Sequence, residues 1–468
     1  MMAAGQRIKN LVKDFRFWVV LFFLIRLYGI TNPPLEKAHN WRQSFTCMVA
    51  RNFLETSANI LYPRIDIDGN HSGIVGCEFP VFNYLIFLVS KIFGYAHWYG
   101  RLINLLVSSL GILCFYLIIR KYFGEQTAFY SGLVLLCSLW FCYARKIMPD
   151  TFSLSLVLIG VYYATLFIAH NKILPLVLFI IFSALGGLSK MPALIMLSLL
   201  VLPLITKQIN KRTFLILCCA LADTIIIVAL WYFYWVPHLV EQYRYQHFFE
   251  KDLLTGIKEI IPYRYDALEK FYFGALLSYS AFGVFLFGCY RIFRNKEKNM
   301  TIVFVLALLI FLFFAVKTGA VFPTHSYYIL PFVPFMALVA GYGLSEIKIN
   351  YIRIIFIIAI IVESIANQQH DFRIRDDERY LTELEKIADK VSGLNDLIAV
   401  SGGEGYQQMY FAHRRGWALG NDRINDHQYL DSIRKNGCKF LFVNKKDFAD
   451  VLKYEIIFEN KNYTVYKL

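Results

Sequence analysis

The chain has 468 residues, of which 57% are hydrophobic and only 18% charged; that balance excludes a soluble globular protein and points to a polytopic membrane protein. Forty-eight Lys and Arg against thirty-four Asp and Glu give a formal charge of +14, yet the basic residues stand in short gaps between apolar runs, where they set topology rather than forming a nucleic-acid footprint. Nine cysteines, mostly inside apolar runs, exclude a disulfide scaffold and show no zinc spacing.

In chain order, apolar stretches of span-like character lie near 17–30, 102–119, 127–143, 152–169, 173–188, 193–206, 214–236, 271–290, 302–316, 327–344 and 354–366. These make about eleven expected transmembrane helices, some of them short. The first, lacking a small-residue cleavage site, reads as a signal anchor. The further run Val81–Phe93 decides the parity. If it does not cross, Arg7, Lys9, Lys13 and Arg16, then Arg120 with Lys121, Lys172, Lys207 with Lys211 and Arg212, Arg291 to Lys298, and Lys348 with Arg353 all face the cytoplasm. Counting it as a span would put these basic connectors outside, so it reads as an interfacial or re-entrant helix.

This parity places the N-terminus in the cytoplasm and five segments on the outer face: 31–101, 144–151, 237–270, 317–326 and everything after 367. The first and last are the substantial ones. The expected organisation is a membrane module over 1–370, with a large first outer loop at 31–101, and a small extracytoplasmic α/β domain over 371–468. In the latter, Leu381, Leu384, Ile387 and Ala388 fall at helical spacing, and strand-like runs follow at 397–401, 439–443, 455–459 and 463–467.

Chemistry-bearing residues concentrate on that outer face. A first loop so polar is costly as a passive linker, and it contains His39, Arg42, Gln43, Arg51, Asp66 and Glu78. Glu78 precedes Val81–Phe93, where it is either a charge favoured by a helix N-terminus or a working carboxylate. Asp150, after Met148 and Pro149, is either a helix N-cap or a second such carboxylate. The two share a side of the membrane and could meet on one metal ion or one substrate hydroxyl. Lys190 either snorkels to headgroups or holds a lipid phosphate as a point charge. His325 stands in a cluster with Ser326, Tyr327 and Tyr328, a pattern that interface anchoring also explains. Arg26 lies inside the first span, an expensive position for a charge without a partner. The Ser401–Gly405 run, which includes Glu404, lacks the lysine of a phosphate loop and reads as a turn. Cys47 and Cys77 share the first loop and could pair in an oxidising compartment.

Taken together, the large first loop, Ala50–Arg51, Glu78–Phe79–Pro80, Arg101–Leu102, Met148–Pro149–Asp150, Leu188–Ser189–Lys190 and Tyr327–Tyr328–Ile329–Leu330–Pro331 with Pro334 resemble a known family. It is that of the membrane-embedded GT-C glycosyltransferases that use lipid-phosphate sugars, including protein O-mannosyltransferases and the aminoarabinose transferases that modify lipid A. The resemblance covers about the first 370 residues. It implies that Glu78 and Asp150 are catalytic, that either holds a divalent cation if one is used, and that Lys190 binds the donor phosphate; Arg42, Arg101 and His325 are further candidates for that phosphate. The chain departs from the family at Arg42–Gln43, which stand where an acidic pair is usual; neither side chain takes up a proton at neutral pH, so the base lies elsewhere, with Asp66, Glu36 and His39 as local substitutes, or the subfamily uses a different arrangement.

The expected activity is transfer of a sugar from a polyprenyl-monophosphate carrier to a hydroxyl or amine of a lipid, glycan or protein acceptor, with inversion, at the outer face of the plasma (inner) membrane. A lipid-linked sugar transporter or flippase would instead show internal repeats and broken helices meeting at mid-membrane. A glycan polymerase or ligase would place its major loop later in the chain.

Overall fold

The structure, a computed structural model, describes residues 10–246, 251–403, 405–448 and 450–468; Arg7, Lys9 and Glu404 lie outside them. Its contacts divide the chain into two units. One holds the described residues of Met1–Ile30, Arg101–Tyr234 and Phe248–Phe372, the other those of Thr31–Gly100, Trp235–His247 and Arg373–Leu468.

The first unit is helical, and each of the expected apolar stretches falls on helix. Among the described residues, five helices are long and apolar enough to cross a membrane: Trp98–Phe123, Pro149–His170, Lys211–Tyr243, Lys298–Thr318 and Asn350–Phe372. Leu253–Gly274 with Tyr279–Asn295, bent by 88°, makes a sixth if the pair is one span, and Phe15–Ile25, Val81–Phe93, Ile173–Ser189 and Met191–Ile205 are shorter apolar helices. The physical cause of the short elements is visible in the sequence. Pro192 opens a 3-10 stretch, Met191–Leu200, and Pro323, Pro331 and Pro334 interrupt the segment leading into Val333–Glu346, because proline supplies no N–H to the helical ladder.

Small residues set the spacing of the helices that matter most. A Cβ at Gly111 would lie 2.4 Å from the Ser155 Cβ, and one at Gly160 would lie 2.3 Å from the Ser183 hydroxyl. These two close approaches press Trp98–Phe123 and Ile173–Ser189 onto opposite sides of Pro149–His170. Packing through small side chains replaces the hydrophobic drive that is missing between helices in lipid.

The second unit combines the first loop with the C-terminal segment. Its sheet has strands β1 (Leu397–Ser401), β2 (Arg415–Leu419), β3 (Cys438–Asn444), β4 (Glu455–Glu459) and β5 (Tyr463–Lys467) in the order β2-β1-β3-β5-β4. β1 pairs parallel with β2 and β3, whereas β5 is antiparallel to β3 and β4. The run Leu-Ile-Ala-Val is buried almost throughout, as a central parallel strand requires. Four strands lie where the sequence places them; β2, centred on Gly416 and Trp417, gives no apolar alternation. The region 376–391 is a 3-10 turn, Asp376–Glu383, followed by the α-helix Leu384–Val391.

The two chain segments of this unit are joined by backbone and by charge. Gly69 N–H donates to the Gly416 carbonyl at 2.7 Å and Gly416 N–H to the Asp66 carbonyl at 2.9 Å, so the first loop covers the exposed edge of β2. From helix Asn40–Glu55, Arg51 pairs with Asp66 at 3.2 Å, donates to the Tyr410 carbonyl at 3.0 Å and lies 4.6 Å from the Tyr410 ring. Burial raises the Asp66 carboxyl above its ordinary range, and Arg51 opposes that shift. Cys47 and Cys77, which the sequence allowed to pair, are both thiols.

Candidate active site

Pro149 occupies the first turn of Pro149–His170 and sets Asp150 beside it, where the missing proline N–H costs nothing and the helix dipole favours a carboxylate. Lys190 ends Ile173–Ser189 with extended backbone, releasing its side chain from the helix. The Lys190 ammonium meets Asp150 Oδ1 at 2.5 Å. It also lies 4.7 Å from the Tyr327 ring and 5.5 Å from the Tyr328 ring, which stack on each other at 4.7 Å. One cation is thus shared by a carboxylate and two aromatic faces. Asp150 is 4% exposed, and its Oδ2 has no hydrogen-bond partner.

These groups line a small cleft whose remaining wall includes Phe311, Phe314, Ala315, Leu330 and Pro331. Three sequence pieces read separately, at 150, 190 and 327–331, therefore converge on one cleft with a polar end and an apolar wall. The geometry suits an amphiphile with an anionic head: the ammonium supplies a positive point charge, the open carboxylate oxygen a proton acceptor, and the aromatic and aliphatic side chains a path for hydrocarbon.

The other expected residues are each held by contacts within their own unit. Glu78 belongs to the second unit, where its carboxylate forms an ion pair with the Arg42 guanidinium. Arg42 is 3% exposed and lies 4.7 Å from the Phe45 ring. The arginine that stands in place of an acidic residue is thus matched by a glutamate from the next segment of the loop, and its charge is already balanced. Arg101 is fully buried and donates to the Ile30 carbonyl at 3.2 Å, while Arg145 donates to the Gly29 carbonyl at 3.0 Å. Both tie down the chain that leaves the first apolar helix. Arg26, also fully buried, donates through Nε to the Phe22 carbonyl. His325 contacts Thr324 Oγ1 at 3.0 Å and packs its ring 5.7 Å from Tyr327; burial and the nearby Lys270 and Lys190 lower its pKa, which favours the neutral imidazole.

The carboxylates do not fit a metal centre as they stand. No group of three or more His, Cys, Asp or Glu side chains suited to holding an ion occurs among the described residues. Glu78 and Asp150 each engage a cation of the protein itself.

Sequence reasoning missed Asn104. It lies within the apolar run 102–119, fully buried, and its carboxamide reaches the backbone just before Asp150. A neutral polar side chain inside a membrane helix was the available signal.

Residues 77–235 match the family model described as dolichyl-phosphate-mannose-protein mannosyltransferase. ArnT from Cupriavidus metallidurans, solved with undecaprenyl phosphate, is similar in structure with a TM-score of 0.64 at 14% identity, over 96% of this chain and 98% of that one. The archaeal oligosaccharyltransferase AglB from Archaeoglobus fulgidus, solved with an inhibitory peptide and a dolichol-phosphate, gives a TM-score of 0.53 at 12% identity, over 92% of this chain and 70% of that one. The same archaeal enzyme solved with Zn and sulfate gives 0.54 at 13%, over 92% and 68%. No curated protein matches in sequence. The family match bears out the resemblance over residues 77–235, and the solved structures share the fold.

Proposed function

We propose that this protein transfers a sugar from a polyprenyl-monophosphate carrier to an acceptor hydroxyl or amine, with inversion, at the non-cytoplasmic face of the plasma (inner) membrane. The donor's phosphate enters the cleft at Lys190, and its first isoprene units lie along Phe311, Phe314, Ala315 and Leu330. The acceptor oxygen or nitrogen attacks the anomeric carbon as the bond from that carbon to the phosphate oxygen breaks. Asp150, through the Oδ2 that no protein group occupies, takes the acceptor's proton, and the polyprenyl phosphate leaves with the bonding electrons. Lys190 offsets the charge that grows on the departing phosphate, an interaction stronger in the transition state than in the bound donor.

Glu78 is the second carboxylate of the proposal, held by Arg42 in the first loop. The topology is likewise proposed: about eleven crossings with Val81–Phe93 in the interface, the N-terminus cytoplasmic, and residues 371–468 outside as an α/β domain that joins the first loop. The acceptor is a lipid, glycan or protein, and membrane lipids surround the helical unit.

The observation that carries this reading is the cleft itself: a buried carboxylate with one open oxygen, an ammonium, and an apolar wall, assembled from segments 150, 190 and 311–331. The test is transfer by the detergent-purified protein from radiolabelled polyprenyl-phosphate sugars to candidate acceptors. Asp150→Asn and Glu78→Gln are each expected to lower turnover by about 10² to 10⁴-fold. Full transfer by both variants overturns the assignment.

A further inference from the structure

Beyond the groups assigned above, the contacts around Asp150 and Lys190 close into a ring whose hub is a residue that touches neither. Asn104, on Trp98–Phe123, donates through its amide nitrogen to the carbonyls of Lys146 at 2.8 Å, Tyr143 at 3.0 Å and Met148 at 3.3 Å. Its carbonyl oxygen accepts from Ser108 at 2.9 Å and from Thr151 at 3.0 Å. Two N–H protons shared among three carbonyls and two bonds at the oxygen use the full capacity of a carboxamide. All of this occurs in a fully buried setting, where each such bond is strong and its loss leaves an expensive polar orphan.

The segment so held is the one between helices that delivers Asp150. Tyr143 continues the ring, since its hydroxyl shares a hydrogen bond of 2.6 Å with Ser326. Ser326 directly precedes Tyr327 and Tyr328, which cage Lys190. Lys190 pairs with Asp150, and Thr151, the next residue, returns to Asn104. Acid, cation and aromatic cage, contributed by three separate stretches of chain, are thereby registered against one amide.

We infer that Asn104 is a positioning residue: its carboxamide fixes the carboxylate of Asp150 and, through Tyr143 and Ser326, the tyrosine platform under Lys190, at the separation that transfer requires. The inference rests on the proposed roles of Asp150 and Lys190. Deleting the amide relaxes the 143–148 segment and the first turn of Pro149–His170 together, and a displacement of about 1 Å at a reacting group costs on the order of 10²-fold in rate. Donor affinity depends far less on that registration, because the apolar wall from Lys298–Thr318 supplies much of it.

The experiment compares Asn104→Ala, Thr151→Val, Tyr143→Phe and the control Ser109→Ala in the full chain, purified in detergent, with polyprenyl-phosphate sugar as the varied substrate. Ser109 lies on the same helix, and among the described residues its hydroxyl bonds only to the Leu105 carbonyl. The expected result is a fall in kcat of about 10²-fold for Asn104→Ala and about tenfold for Thr151→Val and Tyr143→Phe, with the donor KM within about threefold of the parent and Ser109→Ala unchanged. Adding Tyr143→Phe to Asn104→Ala is expected to cost nothing more, since the ring is already open. Should Asn104→Ala fail to fold, Thr151→Val and Tyr143→Phe carry the test. Parent-like kcat in these variants, or a loss expressed in KM alone, overturns the inference while a dead Asp150→Asn leaves the reading of the site standing. A fully active Asp150→Asn overturns both.

Discussion

Lys190→Met isolates what the central ion pair contributes to the folded protein. The Asp150 and Lys190 side chains are 5% and 18% exposed, so the pair is partly withheld from solvent. At 2.5 Å the gross attraction is roughly 7 kcal/mol for an effective dielectric of about 20, most of it cancelled by the cost of removing both charges from water. Removing the ammonium alone leaves a buried carboxylate with no compensating cation, a change that typically costs about 3 to 5 kcal/mol. The loss of two cation–π contacts adds about 1 kcal/mol. Asp150→Asn is milder, because Lys190 retains the tyrosine faces and some contact with water. The double variant removes both charges and is expected to lie within about 1 to 2 kcal/mol of the parent, giving a coupling energy of about 2 to 5 kcal/mol plus the cost of Asp150→Asn alone. The assay is equilibrium unfolding of the four proteins in mixed micelles of increasing denaturing-detergent fraction, followed by tryptophan fluorescence. Stability recovered in the double variant with transfer still abolished separates the structural role from the chemical one. A Lys190→Met protein as stable as the parent within 0.5 kcal/mol, roughly the error of such cycles, refutes the reasoning.

Two further predictions concern the second unit. His413 bridges Glu385 at 2.7 Å and Glu55 at 3.0 Å, and these two carboxylates raise its pKa to about 9. Because the folded pKa exceeds the ordinary value, this contribution to stability is complete below about pH 6.5 and is lost as pH rises through 9; amide protection at 406–412, relative to the intrinsic base-catalysed exchange rate, is expected to fall across that window in the parent and not in His413→Gln. The Cys77 thiol is pushed up to about 12 by burial, so alkylation by a maleimide at pH 8 is expected only after denaturation. Rapid labelling of the folded protein at that residue contradicts the burial.

Much of the fold was legible because it follows from one-dimensional signals. Apolar runs located the helices, and β-branched runs located β1, β3, β4 and β5. β2 was hidden by Gly416 and by Trp417, whose neighbours break the alternation. The span count was less secure, since prolines such as Pro192 and Pro334 shorten elements that hydropathy alone reads as continuous. At the site, Asp150, Lys190 and Tyr327 were legible by residue type and order. The Arg42–Glu78 pair and the backbone roles of Arg101 and Arg51 were not, because each depends on a partner fixed only by tertiary packing. Asn104 illustrates the same limit: four of its five hydrogen bonds reach residues on either side of the turn before Asp150, and spacing along the chain carries no trace of them.

The most direct measurement is an electron cryomicroscopy structure of the protein with a polyprenyl monophosphate bound. The account predicts phosphate density within hydrogen-bonding reach of Lys190 Nζ, with the first isoprene units against Phe311 and Phe314. Phosphate bound elsewhere, with the Lys190–Asp150 contact undisturbed and that wall bare, would contradict it.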